Sequence, residues 1–372
     1  MLDFAGQSLT HSHAISEQAA EKAGLRYVSD EGPGILRRRS GTSFHYVRRN
    51  GARIREPAIL ARIRKLAIPP AWTDVWICPS PNGHIQATGR DAKGRKQYRY
   101  HAQFREHREA NKFEHMAVFA RALPVIRMKV SEHMALPGLP REKVLASVVH
   151  LLETTLIRIG NDEYARQNKS FGLTTLKNRH AKVNGSQVRF DFNGKSGRKW
   201  SLGIKDRRVA KIIRSCQELP GQQLLQYKNS CGEVQAVSSS DVNDYLQEIS
   251  GEDLTAKDFR TWAGTVLAAL ALNELQRFDS EAQAKRNLKS AIETVAARLG
   301  NTPTICRKCY VHPEILNLYF DGNLALNIQS EVARELTEDV SRLRPEEAAV
   351  LALLHVSLAA KSAQQSSKLA VG

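Results

Sequence analysis

Cysteine is scarce. The chain has five in 372 residues, at positions 78, 216, 231, 306 and 309. An odd, scattered set does not make a disulfide-stapled secreted scaffold, and it suggests a reducing compartment. Long apolar runs are missing, so no membrane span is expected. The first residues lack a basic stretch followed by an apolar one, so export is not expected either and a cytoplasmic location is. No phosphate-binding loop of the Gly-x-x-x-x-Gly-Lys-Ser/Thr kind occurs, which argues against nucleotide hydrolysis. Cys306 and Cys309 form a C-x-x-C pair, but no second pair of matching spacing exists and His312 is only a loose extra candidate. A structural zinc needs four ligands, so no metal site is expected. No internal repeat is found.

Cations, by contrast, are plentiful. Lys and Arg number 55 against 38 acids, a net charge of +17. The excess is unevenly placed. Residues 26–65 hold eleven Lys/Arg against three acids, and residues 84–112 hold eight against three, so these stretches carry +8 and +5. A solvated surface usually mixes its signs. This pattern points to a polyanion bound by the N-terminal part. Hydrophobic content of 42% is enough for true cores.

The chain punctuates itself into elements. From Leu25 to about residue 100, short strand-like pieces alternate with glycines, and Arg49-Asn50-Gly51 reads as a hairpin turn. Pro57 opens a helix over 58–66. The run from Gly89 to His101 interleaves cations with Gln97, Tyr98 and Tyr100. Lys and Arg neutralise phosphates, while Tyr and Gln reach bases or sugars. Residues 102–134 have helical spacing, with Pro124 expected to divide them. A helix from Pro140 to about Leu156 delivers Arg158, with Gly160 close behind.

From Leu173 to Ile204 the period switches to two. Asn184-Gly185 is a strong hairpin signal. A second turn, Asn193 to Gly197, carries Lys195 at its tip. Helices follow over 206–219, 240–249, 255–275 and 279–299, with Arg260 in the first two turns of the third. Gly300 is a C-cap candidate. Residues 1–24 read as a short helix or loose arm. The chain beyond Leu324 reads as amphipathic helix followed by a disordered Ser/Gln/Lys-rich end.

One short stretch organises the rest: Gly300-Asn301-Thr302-Pro303, then a helix-compatible run ending Arg307-Lys308-Cys309-Tyr310. A phenol of pKa about 10 is a weak nucleophile until cations stabilise its phenolate. Pro313 follows three residues later, so Tyr310 sits at a helix break.

Taken together, several blocks in order resemble the type IB DNA topoisomerases of the compact bacterial and poxvirus-like kind. They are Gly89–Tyr100, Leu156–Tyr164, Gly172–Asn178, Lys257–Thr261 and the turn leading to Tyr310. The resemblance implies an α+β chain. A small antiparallel β domain at 1–101 and a mostly α-helical catalytic domain with a β-hairpin at 102–325 would close as a C-clamp on duplex DNA. Residues 326–372 would form a helical extension.

The resemblance implies Tyr310 as nucleophile, Arg158 and Arg260 as clamps on the phosphate, and Lys195 as general acid. It also implies a fifth position nine residues before the tyrosine, often histidine and here Asn301, which can donate an N–H but carries no charge. Arg90, Lys96, Gln97, Tyr98 and Tyr100 become candidate DNA contacts. The implied enzyme is a monomer that relaxes supercoils through a 3′-phosphotyrosyl bond with neither ATP nor metal, at the nucleoid in a bacterium. A tyrosine recombinase is the nearest alternative, but it usually carries histidine three residues before the second arginine, where Lys257 stands here. A non-catalytic duplex-binding protein is the other.

Overall fold

A computed structural model of the chain describes residues 20–369 except 42, 93, 95, 230, 276, 277 and 325–342; the side chains of 106–114, 163, 164 and 360–369 lie outside the description. Most of the expected N-terminal arm and part of the C-terminal extension therefore fall outside it. The chain separates into two compact units, Met1–Glu114 and His115–Gly372.

The first unit is a five-stranded antiparallel sheet in the order β2-β1-β3-β4-β5. The strands are β1 (Ile35–Ser40), β2 (Ser43–Val47), β3 (Thr73–Ile77), β4 (Ile85–Arg90) and β5 (Lys96–Tyr100). Helix α1 (Pro57–Lys65) has Pro at its first position, where a missing N–H costs nothing. Ile63 of α1 packs with Ile35, Ile54, Val75, Ile77 and Ala87 as the core of this unit. A smaller cluster joins Ala20, Leu25 and Phe104 to Tyr27 and Tyr100. The stretch Leu25–Val28, which reads as a strand, contributes only an isolated bridge from Arg26 to Gly83.

Helix α2 (Ala102–Met134) leads into the second unit and runs unbroken through Pro124. The sequence places a division there, and tertiary packing overrides it. Phe119, Ala120, Leu123, Ile126 and Val130 are all buried on both sides of the proline. That burial offsets the one lost hydrogen bond.

Helix α3 (Arg141–Thr155) is buried along most of its length and ends on Leu156, which takes a left-handed φ of 57°. Short helix α4 (Asp162–Asn168) follows. Then come the antiparallel strands β6 (Ala181–Asn184), β7 (Gln187–Asn193) and β8 (Lys199–Lys205). Asn184 pairs with Gln187 across the Asn-Gly turn, and Asn193 with Lys199 across the second turn.

Helix α5 (Arg207–Gln217) and a small hairpin of β9 (Gln226–Lys228) and β10 (Val234–Ala236) lead to α6 (Ser239–Ser250). Helix α7 (Ala256–Glu274) is the hub, packing on α3, α6, α8 (Glu281–Leu299), α9 (Pro303–Tyr310), α10 (Pro313–Phe320) and α11 (Pro345–Leu369). Helix α11 continues to Leu369, where the composition suggests disorder. Residues 361–369 contain no Gly or Pro, and Ala, Gln, Lys and Leu are good helix formers, so polarity alone does not end the helix. No helix among the described residues is long and apolar enough to cross a membrane.

Three helices of the second unit are tied by charge. The Arg127 guanidinium meets Glu153 at 2.7 Å and Glu347 at 2.8 Å, joining α2, α3 and α11. Burial opposes ionisation of Glu347, but Arg127 and the Arg344 backbone N–H hold its carboxyl below the usual range. A depressed carboxylate stabilises the fold above its unfolded pKa of about 4.3 and loses that contribution as pH falls through the folded value. Glu347→Gln is expected to cost roughly 3 kcal/mol at neutral pH, the low end for breaking a buried pair because Glu153 remains. Thermal melts from pH 7 downward check this. The variant loses less stability than the parent on acidification, and parallel curves would contradict it.

Candidate active site

Tyr310 is the last residue of α9, and its position is set from both ends. Thr302 caps the helix by accepting from the Ile305 N–H, and Pro303 stands at the first position. At the other end Val311 leaves the helix and His312 caps α10. The break expected from Pro313 is therefore real.

A close seat on α7 holds this corner. A Cβ built on Gly264 would lie 2.4 Å from the Tyr310 carbonyl oxygen and 3.0 Å from its Cβ. Only glycine permits that approach. Beside it, the Thr265 hydroxyl accepts from the His312 N–H at 3.0 Å and reaches the Tyr310 carbonyl at 3.4 Å.

Arg260 lies one helical turn before Gly264 and is 3% exposed. Its Nη1 donates to the Leu156 carbonyl at the end of α3, and its Nη2 to the Leu299 carbonyl at the end of α8, the latter at 2.6 Å. The guanidinium carbon stands 5.1 Å from the centre of the Tyr310 ring. The left-handed turn at Leu156 aims its carbonyl into this cluster, and Gly300, with φ of 65°, ends α8 at the same place.

Arg158 follows Leu156 by two residues. Its backbone is pinned, because its carbonyl accepts from the Leu173 N–H at 2.9 Å and the next carbonyl from Thr174 at 2.7 Å. Gly172 sits so close that a Cβ there would meet the Arg158 carbonyl at 2.5 Å. The Arg158 side chain donates from Nη2 to the side-chain oxygen of Asn301. With its oxygen so engaged, the Asn301 amide presents its NH2 group, and Nδ2 is buried without a partner. Arg260 Nε is in the same condition. Arg260, against the phenol, and Asn301, held by Arg158, thus each keep one donor with no partner among the described residues, and such donors suit an acceptor.

The electrostatics favour an anion here. Burial raises the Tyr310 pKa, but the charges of Arg260 and Arg158, with hydrogen bonds from both, outweigh it and hold the phenol below its ordinary value. In the same helix, burial pushes the Cys306 thiol up to about 11. A thiol so protonated is a poor metal ligand, and Cys306 serves as packing.

Four of the predicted residues thus converge. Lys195 stands apart from them, exposed on the turn Lys195–Gly197, where Ser196 has φ of 64°. It makes no ion pair with a described residue. The turn is linked to the cluster by Trp200, whose indole lies against Gly300. Gly264, Thr265 and Trp200 escape a reading of the sequence. Only Gly264, a glycine inside a helical run, carries a signal there.

The candidate DNA contacts lie in the first unit on β4 and β5. Lys96 pairs with Asp30 at 2.8 Å, Gln97 donates to Asp91 at 3.0 Å, and Arg90 donates to the Gly94 carbonyl at 2.9 Å. Tyr98 is 42% exposed and stacks on Tyr100 at 5.8 Å. Tyr100 is itself packed on Phe104 at 5.5 Å. The Lys96 ammonium lies over the Tyr98 ring, 5.6 Å from its centre, so a cation and an exposed aromatic stand together on β5.

Sequence comparisons agree with this geometry. A profile described as the catalytic core of eukaryotic DNA topoisomerase I matches residues 101–344, and one described as the N-terminal domain of bacterial DNA topoisomerase IB matches residues 43–91. DNA topoisomerase 1B of Acanthamoeba polyphaga mimivirus is 32% identical over 293 residues, covering 77% of this chain and 87% of that protein. DNA topoisomerase 1B of vaccinia virus strain Copenhagen is 23% identical over 240 residues, covering 63% and 72%. DNA topoisomerase I of monkeypox virus shows the same identity and coverage.

Spectrophotometric titration of the phenols tests the electrostatics. One tyrosine is expected to ionise below the ordinary pKa of about 10. Tyr310→Phe removes that component and Arg158→Ala moves it upward. An unchanged titration in both variants would contradict the arrangement.

Proposed function

The chain belongs to the type IB DNA topoisomerase family, and from that premise we propose that it relaxes positive and negative supercoils in duplex DNA through transient cleavage of one strand. The Tyr310 oxygen attacks the phosphorus, its proton passing to water. The bond from phosphorus to the 5′-oxygen breaks, and a 3′-phosphotyrosyl bond forms. Charge grows on the two non-bridging oxygens as this happens. Arg158 and Arg260 are fork-shaped donors suited to them, and the Asn301 NH2 adds a neutral one. Lys195 gives its proton to the leaving 5′-oxygen. The covalent bond conserves the energy of the phosphodiester. After strand rotation the 5′-hydroxyl attacks in reverse, and no ATP or metal is required.

The observation that carries this reading is the pair of orphaned donors, Asn301 Nδ2 and Arg260 Nε, beside a phenol whose ionisation two arginines favour. A phosphodiester oxygen would satisfy such donors. Removing one preorganised donor of this kind costs about 10²–10³ in rate.

Binding is assigned to both units. The basic first unit holds the duplex through Arg90, Lys96, Gln97 and Tyr98, with Tyr100 behind, and enclosure of the duplex as a clamp belongs to the same proposal. The enzyme acts as a monomer in the cytoplasm. With phosphate contacts dominant, affinity falls steeply with salt.

The test uses supercoiled plasmid with EDTA and without ATP. Wild type relaxes both signs of supercoil on plasmids that share no particular site, and Tyr310→Phe relaxes neither. A requirement for specific sites would point to a recombinase, and relaxation by Tyr310→Phe would overturn the role of the tyrosine. Asn301→Ala slows cleavage by about 10² or more and leaves the pH profile in place, since an amide does not titrate. A shifted profile would contradict its role.

A further inference from the structure

Lys195 rides an exposed turn, yet proton transfer needs it held to within hydrogen-bond reach of one oxygen. The structure shows what holds the turn. The Trp200 indole spans the gap between two glycines. A Cβ on Gly194 would come within 2.7 Å of Trp200 Cδ1 and Nε1, and one on Gly300 within 2.5 Å of Cζ2. So the pyrrole edge rests on the residue before Lys195. The benzo edge rests on the residue before Asn301, whose amide holds Arg158.

The two glycines differ in why they are glycine. Gly300 has φ of 65° and ends α8, so backbone conformation alone calls for it. Gly194 has φ of −90°, which any residue adopts. Nothing in its backbone angle requires glycine. The close approach of the indole does.

Two further contacts fix the arrangement. The Phe192 ring lies parallel to Trp200, 6.1 Å between centres. Arg198, at the far end of the turn, donates to the Ala297 carbonyl in the last turn of α8 at 3.0 Å. Within the turn, the Gly194 N–H donates to the Arg198 carbonyl at 2.7 Å. The turn is thereby docked on the end of α8, the same helix end that accepts from Arg260 and leads into Asn301.

We infer that Trp200 is a positioning residue for the proton donor: it sets the distance between the Lys195 turn and the Arg158–Asn301–Tyr310 cluster. The inference rests on the proposed acid role of Lys195. Trp200 touches no reacting atom and acts only through Gly194 and Gly300.

The test compares two duplex substrates in single-turnover cleavage, one with the natural 5′-oxygen and one with sulfur in that position. A thiol of pKa about 8.5 leaves unaided, whereas a hydroxyl of pKa near 16 needs a proton. Lys195→Ala is expected to lose about 10²–10⁴ on the oxygen substrate and almost nothing on the sulfur one. Trp200→Ala shows the same signature at about 10², and Trp200→Phe restores most of the rate.

If Trp200→Ala does not fold, Arg198→Ala keeps the question open to measurement. It removes one surface hydrogen bond and is expected to give a smaller loss, again confined to the oxygen substrate. Equal slowing of both substrates by Trp200→Ala or Arg198→Ala would make the contact merely structural. No slowing of either would also overturn the inference. If Lys195→Ala itself slows both substrates equally, the acid role fails and the inference with it, while the roles of Tyr310 and the arginines stand.

Discussion

The site depends on one buried cation. Arg260 is 3% exposed and meets no carboxylate among the described residues; it is held instead by two backbone carbonyls, of Leu156 and Leu299, and by the face of Tyr310. A guanidinium out of water is costly unless its donors are met. Two of its nitrogens are met by helix ends that arrive from distant parts of the chain. The third, Nε, is not. The same contacts that make burial of Arg260 tolerable therefore fix where α3 and α8 end. Those ends deliver Arg158 and Asn301.

Close backbone approach does the remaining positioning. Gly264 lets the Tyr310 corner rest on α7, Gly172 lets the segment at Arg158 pass its neighbour, and Gly194 and Gly300 admit an indole. Each lacks a side chain where a side chain would push a functional group away. Electrostatics then act on a fixed frame. The two arginines lower the cost of a phenolate despite burial. In this cluster the polar atoms with no partner among the described residues, Arg260 Nε and Asn301 Nδ2, are donors, which suits an anionic ligand.

Much of this was legible in the sequence where local chemistry decides. Asn184-Gly185 made its hairpin, Gly300 its cap and Pro57 its helix start, because turn and cap residues act through their own backbones. Tyr310 at a helix break followed from Pro313. What needs tertiary contact was not legible. Pro124 reads as a break, and burial of Phe119 and Leu123 carries the helix across it. The tail reads as disordered, and its helix formers continue to Leu369. Tyr100 reads as a contact of the same kind as Tyr98, and its packing on Phe104 is a tertiary contact that the sequence does not show. The β9–β10 hairpin has three residues on each side, too few for an alternating pattern to stand out. Trp200 had none, since its role exists only where two distant glycines meet it.

In the proposed reaction these separated side chains serve a single phosphorus atom through Tyr310. The most direct measurement is to trap the covalent complex on a nicked duplex, digest it, and locate the nucleotide-bearing residue by mass spectrometry. One modified residue is expected, Tyr310, joined to the nucleotide through its 3′-phosphate, with no adduct from Arg260→Ala under the same brief exposure. A nucleotide on any other residue, or full adduct formation without Arg260, would contradict it.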